Sequence, residues 1–184
     1  MSTLKFRVLL DSVNNEEVFR DILIDENDHF ESFYRTIVES FGFSGNQLAS
    51  FYMSNDSWDK GEEIGLLDMN YNPETEEESI LQMSDTIIKS KIEAQDQKII
   101  LVYDFLKMWI FLIELQDVLP QKIKHPEIAL SIGIAPNEND KSDDFLMEID
   151  ENQDDSDEED DYFNEFDDFD DEDLSEGFEQ YEDF

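Results

Sequence analysis

The chain of 184 residues predicts an α+β fold over residues 1–137 followed by an acidic tail over 138–184. Three observations carry that prediction. Apolar residues recur every second position in several short runs, the period of strands. One run has a helical apolar face. The charge is divided unevenly: residues 1–137 hold 25 acidic and 11 basic residues, net −14, whereas 138–184 hold 25 acidic and one basic, net −24.

Taken in order, Leu4, Phe6, Val8 and Leu10 alternate with Lys5, Arg7 and Leu9, which predicts a first strand. A polar turn and the β-branched run 18–24 predict a second, paired as a hairpin. Phe30, Phe33, Tyr34, Ile37, Val38 and Phe41 fall on one helix face. Asp28, with Glu31 three residues on, is the expected N-cap, and Gly42 stands where a left-handed residue ends a helix. Residues 48–53 predict a third strand. Residues 55–72 read as a packed polar loop around Trp58, and 74–79 as a charged surface excursion. Ser84 is the expected cap of a short helix carrying Ile87, Ile88 and Ile92. Residues 98–103 and 108–119 predict two strong strands joined by a turn at 104–107. In the second, Trp109, Phe111, Ile113 and Leu115 share a face opposite Ile110 and Leu112, as in a central strand. Beyond Leu119, prolines at 120, 126 and 136 predict coil.

The order β-β-α-β, a loop with a short helix, then β-β describes a roll like the β-grasp of ubiquitin. In 138–184 acidic repulsion and low hydrophobicity predict disorder. The longest apolar run, 108–115, is far shorter than the roughly 20 residues of a membrane-spanning helix. No signal peptide is read at the N-terminus, so the expected location is cytoplasmic. Zero cysteines exclude disulfides, thiolate nucleophiles and Cys-ligated zinc. The negative charge excludes direct binding to nucleic acid and to anionic membranes, and favours basic partners.

Several stretches resemble one bacterial family. They are KFRVLL, VFRDILI, FESFYRTIVESFGF running into LASFYMSN, then YDFLKMW and HPEIALSIGIAPNEND. Together they are similar to the plasmid pRiA4b Orf-three-like proteins, also labelled insertion-element passengers, over about Leu4 to Asp140. The most specific piece is Tyr103-Asp104-Phe105 with Trp109, which resembles the family's Tyr-Asp-Phe-Gly-Asp-x-Trp signature. The chain departs from the family at Phe33-Tyr34 (commonly Leu-His), Gln47-Leu48-Ala49 (His-Leu-His), Leu106-Lys107 (Gly-Asp) and Phe111 (often His). Any site those histidines form in relatives is therefore missing here. The resemblance implies a mixed α/β roll and fixes no activity, because fold does not determine function.

No catalytic residue, metal site or cofactor is assigned. His29 and His125 belong to no paired metal motif and read as surface or capping residues. Gly42-Phe43-Ser44-Gly45 lacks the spacing and strand-to-helix context of a nucleophile elbow. An EF-hand loop begun at Asp171 has Glu176 where the turn needs glycine. A possible pocket is formed by Trp58, Asp59 and Glu62 with Tyr103, Asp104 and Trp109, where carboxylates beside aromatic rings suit a small ligand.

The tail carries rings at Phe163, Phe166 and Phe169, and again at Phe178, Tyr181 and Phe184. Solubility alone needs no phenylalanine. Charge raises the encounter rate and rings hold a complex, so these six residues are the expected contact with a basic protein partner. The acidic, Phe-terminated end is similar in kind to the tip of bacterial single-stranded-DNA-binding proteins, without its penultimate proline. DNA mimicry towards a nucleic-acid-binding protein is a related form of the idea, and a separate option is that the rings fold back onto the body near a basic patch at Lys122, Lys124 and His125. The leading reading is thus a non-enzymatic interaction module of open oligomeric state. The alternatives are a small-molecule binder or enzyme using the Trp58 loop and the Tyr103–Trp109 turn, and a tail that only solubilises.

Overall fold

The computed structural model describes residues 1–12, 16–68 and 79–141. By its contacts the chain divides after Asp150, and all the described residues lie in the unit before that point. Among them, eight strands form one sheet with a single α-helix. The strands are β1 (Thr3–Leu10), β2 (Phe19–Asp25), β3 (Ala49–Ser54), β4 (Lys60–Gly65), β5 (Leu81–Gln82), β6 (Lys98–Tyr103), β7 (Trp109–Leu119) and β8 (Glu127–Ile132), and the helix α1 is Phe30–Ser40. The sheet order is β5-β4-β3-β6-β7-β1-β2-β8. Only β4–β5 is parallel; every other pairing is antiparallel.

Alternation along β1 puts Leu4, Phe6, Val8 and Leu10 on the face that α1 covers. Register carries that face across the sheet, through Ile113 and Phe111 in β7 and Ile99 and Leu101 in β6. The predicted helical face is buried in full. Phe33 lies between Phe6 and Phe51, ring centroids 4.8 and 5.7 Å away, and Phe41 packs edge-on against Phe111 at 5.0 Å.

The helix ends as its sequence predicts. Gly42 has φ +73°, its N–H donates to the Glu39 carbonyl and the Phe43 N–H to that of Val38, the paired bonds of a Schellman motif. Arg20 adds to this end, donating from Nε to the Ser40 carbonyl at 3.1 Å while its guanidinium lies 4.7 Å over the Phe41 ring. The helix start differs from expectation. His29, not Asp28, holds the N-cap position, and no side chain caps it. The Phe30 and Glu31 amides donate instead to the Thr86 and Met83 carbonyls, so a neighbouring turn does what the capping box would have done. Ser84 likewise caps nothing: the predicted short helix is a 3₁₀ turn, Ile88–Lys91, preceded by Ile87.

The sheet is also larger than the sequence predicts. The stretch read as a packed loop contains β4, and the proline-punctuated coil contains β8. In KGEEIG only Ile64 and Gly65 are buried, so no alternation announces the strand. All six residues of β8 are exposed; Ile128, Leu130 and Ile132 do alternate in the sequence, but the flanking prolines make the stretch read as coil. Both strands are specified by backbone pairing, to β3 and β2 respectively.

α1 covers one sheet face. On the other, register aligns Phe19, Leu9, Leu112, Ile100 and Tyr52 in a row, with Ile110 and Val102 beside them. A charged row lies next to these, in which Asp21 accepts from Arg7 Nε at 2.8 Å and Nη2 at 3.0 Å, with Lys5 at 3.3 Å. No helix of the described residues is long and apolar enough to cross a membrane.

Candidate functional site

The two halves of the sequence-predicted pocket lie at opposite ends of the same strands. Ala49 at the start of β3 pairs with Tyr103, and Ser54 at its end pairs with Lys98, near the Trp58 turn. Five strand steps separate these ends by roughly 17 Å. Trp58, Asp59 and Glu62 therefore group together, as do Tyr103, Asp104 and Trp109, and the two groups form separate sites.

Both sites are built on turns with left-handed non-glycine residues. In the first, the Asn55 side-chain carbonyl accepts the N–H groups of Ser57 (3.0 Å) and Asp59 (3.1 Å), and Trp58 takes φ +61°. In the second, Asp104 Oδ1 accepts the N–H groups of Leu106 (3.1 Å) and Lys107 (3.2 Å), with φ +59° at Asp104 and +52° at Met108. Asn and Asp side chains that replace backbone partners in this way stabilise tight turns.

The Trp58 site is open. A cavity of about 480 Å³ is lined by Asn55, Asp59, Lys60, Glu62, Lys91 and Gln97, among others. Several polar groups are partnered around it. Lys91 Nζ lies 2.7 Å from Glu62 Oε2, Lys98 Nζ 3.3 Å from Asp56 and 5.4 Å over the Trp58 ring, and Asn55 Nδ2 donates to Asp59 at 2.9 Å. Such a cavity offers charged and amide groups to a polar ligand, with Asp59 and Glu62 both open to water.

The Tyr103 site is closed by its own chain. Tyr103 is fully buried; its hydroxyl accepts the Gly45 N–H at 3.1 Å and donates to Glu138 Oε2 at 3.0 Å, with Ser44 Oγ at 3.3 Å. Glu138 Oε1 takes the Ser44 N–H at 2.9 Å, and the Glu138 carbonyl accepts Trp109 Nε1 at 3.1 Å and Lys107 Nζ at 3.3 Å. Phe43 packs against both rings, 5.6 Å from Tyr103 and 5.1 Å from Trp109. Burial, then the Glu138 charge, pushes the Tyr103 hydroxyl pKa up. Burial and the neighbouring Tyr103 push Tyr34 up to about 12. Glu138, the first residue of the sequence-predicted tail, is thus bonded into the sheet domain. Sequence reading missed this contact because one Glu in an acidic run carries no local signal for a tyrosine 35 positions away.

His29 and His125 are both exposed, and no group of three or more metal-ligating side chains forms among the described residues. Ser44 follows the helix C-terminus and bonds Glu138, away from either histidine. Phe163, Phe166, Phe169, Phe178, Tyr181 and Phe184 lie outside the described residues.

A single helix on one face of a mostly antiparallel sheet, with Tyr103 and Asp104 buried at its end and Phe105 exposed, defines a mixed, mostly-strand α+β class. The family model of plasmid pRiA4b ORF-3-like proteins matches residues 2–177, and the chain belongs to that family. The matched span runs past Asp140, so it takes in most of the acidic segment that the sequence resemblance left outside. Among solved structures, the chain is similar to the crystal structure of a protein of unknown function, MM3350, from Methanosarcina mazei Go1. The identity is 17% and the TM-score 0.64, over 82% of this chain and 80% of that one. At that identity the likeness shows the fold alone. No curated protein matches the chain.

Proposed function

We propose that this protein is a non-enzymatic cytoplasmic interaction module whose acidic-aromatic C-terminal segment docks on a basic protein, nucleic-acid-binding proteins being the first candidates. The observation that carries this reading is the division of charge. All 12 Lys and Arg residues lie within 1–141, whereas 142–184 hold 23 acidic residues, no basic ones and the two aromatic triplets. Long-range attraction brings such a segment to a cationic surface, and the rings slow its release. The first half of the domain reads as a β-grasp-like roll, a hairpin with a helix across it, and serves as the platform.

The test is retention of basic proteins by the full chain against a version with all six triplet aromatics replaced by serine, at low and at high salt. Docking by charge and rings together predicts retention that falls with salt and is strongly reduced by the replacements. Equal retention by both versions would leave the rings without a role. A segment that only solubilises would show no salt-sensitive partner at all.

A second reading is favoured by the open cavity at Trp58. A small polar ligand there would bridge Asp59 and Glu62 to Lys91. Glu62→Gln would weaken such a ligand and leave partner retention by the C-terminal segment unchanged.

A further inference from the structure

The turn that follows α1, Gly42-Phe43-Ser44-Gly45, builds a cradle for a carboxylate, and the protein fills it with its own Glu138. The Ser44 N–H donates to Glu138 Oε1 at 2.9 Å, and the Ser44 and Tyr103 hydroxyls lie 3.2 and 3.0 Å from Oε2. Each hydroxyl in turn accepts a backbone N–H, Ser44 that of Asn46 at 3.3 Å and Tyr103 that of Gly45 at 3.1 Å. A hydroxyl carries one proton, so these bonds leave both protons for an acceptor in the cradle. Among the described residues no lysine, arginine or histidine pairs with the Glu138 carboxylate. Neutral donors alone hold the anion.

We propose that this cradle is a receptor for a lone carboxylate brought by a neutral or basic ligand, and that Glu138 is the built-in occupant such a ligand displaces. Three observations support it. The first is access. Ser44, Gly45 and Asn46 also line an open cavity of about 560 Å³ beside the end of α1, together with Arg35 and Glu39. Ser44 is itself exposed, so a ligand reaches its donors without opening the sheet. Arg35 pairs with Glu31 one helical turn away on the surface, a contact weak enough to be exchanged for a ligand carboxylate.

The second is rigidity. Tyr103 is fully buried, with the Phe43 ring 5.6 Å and the Tyr34 ring 6.4 Å from its own. Its hydroxyl therefore stays in place when Glu138 leaves, and a buried hydroxyl without an acceptor is costly. A second carboxylate restores the lost bonds.

The third is the way Glu138 is held. Its carbonyl anchors the backbone, accepting from Trp109 Nε1 at 3.1 Å and Lys107 Nζ at 3.3 Å. Rotation of the side chain alone empties the cradle while those two bonds remain.

Charge then narrows the ligand. Two oxygens take all three bonds and no cation balances a second charge, which suits a planar monoanion better than phosphate. With a net charge of −38 the chain repels polyanions, so the carboxylate arrives singly. Glu39, exposed on the cavity wall, meets a positive charge on the same ligand. A small zwitterionic acid and the C-terminus of a peptide share this chemistry.

The test follows the Ser44 and Gly45 amide signals by nuclear magnetic resonance in the full chain. Glu138→Ala empties the cradle, and sodium acetate is the first probe, with sodium chloride at equal ionic strength as the blank. Acetate should shift both signals along a saturation curve, and inorganic phosphate should do so at least several-fold more weakly. In the unmodified chain the same shifts should need at least about tenfold more acetate, because Glu138 competes from within the molecule. Trialanine with a free C-terminus should act like acetate, and its C-terminal amide should not. Tighter binding of trialanine than of acetate assigns the site to peptide ends, and weaker binding to small acids. No acetate shift in Glu138→Ala overturns the receptor, and so does equal affinity in the two proteins, which puts the ligand outside the cradle. Phosphate as effective as acetate overturns the choice of a carboxylate. Should Glu138→Ala not fold, the unmodified chain decides: amides that stay silent up to the highest acetate concentration overturn the proposal.

Discussion

The turn at Asp104 and the turn at Asn55 use the same local device to different ends. Each has an Asx side chain accepting two backbone N–H groups and a left-handed residue at the bend. Each leads into a strand and carries a tryptophan close by. Yet Trp109 is 4% exposed, under Phe43 with its indole N–H on the Glu138 carbonyl, whereas Trp58 is half-buried beneath a lysine, next in sequence to Asp59 of an open cavity. Local chemistry made the bend in both places. Distant residues decided whether the bend became core or surface.

The largest difference should come from truncating the two rings. Trp109→Ala should cost about 3–5 kcal/mol in chemical unfolding, the range for emptying an aromatic from a core. Trp58→Ala should cost under about 1 kcal/mol, since it forfeits a partly solvated cation–π contact. Equal losses would erase the distinction between the sites.

Next in size is the charged row on the open face. Arg7→Leu leaves buried Asp21 with Lys5 alone and should cost about 2 kcal/mol, the scale of hydrogen bonds to a charged group. The Arg7 hydrogen bonds hold the Asp21 carboxyl below its ordinary value of 3.8, against the opposing effect of burial. A carboxyl lowered by folding contributes stability above its unfolded pKa that is lost as pH falls through the folded one. Acid titration of stability should therefore show a loss setting in below about pH 4, and Arg7→Leu should shrink it.

Gly42→Ala should cost about 1–2 kcal/mol from its left-handed backbone alone, because an added Cβ there meets nothing within 4 Å. Gly133→Ala should cost more, as its Cβ would lie 2.4 Å from the Glu17 carbonyl oxygen.

The smallest effect sharpens the closed site spectroscopically. Tyr103 and Tyr34 both have raised pKa values, Tyr34 about 12. A group raised by folding contributes stability that is present below its unfolded pKa, here about 10, and lost as pH climbs towards the folded value. Tyrosinate absorbance should thus rise late, with stability declining between about pH 10 and 12. Glu138→Gln removes a nearby negative charge and should bring part of that rise to lower pH. An unchanged titration would detach Glu138 from Tyr103.

How much of the molecule was legible in the sequence varied with what fixed each feature. The face of α1 and its glycine end were readable because period and left-handed backbone are local properties. So were β1, by its alternation, and β6 and β7, whose short, β-branched and aromatic apolar runs fit buried strands. The strand β4 was not, since its partner and not its own side chains specify it, and in β8 the prolines at 120, 126 and 136 outweigh the alternation of Ile128, Leu130 and Ile132. The split of the candidate pocket was illegible for a related reason: Trp58 and Trp109 sit beside strands whose register puts them at opposite ends, and register is a pairing property. Glu138 was read as the first residue of a solvated tail, and only the packing of Tyr103 against Ser44 and Gly45 makes it part of the domain.

The proposal that charge and aromatic rings act together at the C-terminus is tested most directly by one binding comparison. Basic proteins captured at low salt by the full chain would each be titrated with the full chain, with a version stopped after Lys141, and with the six-aromatics-to-serine version. Docking by the C-terminal segment predicts loss of binding on truncation, at least about tenfold weaker binding without the rings, about 1.4 kcal/mol, and weakening of the full chain as salt rises. Binding that survives truncation at full strength would contradict it and return attention to the folded domain.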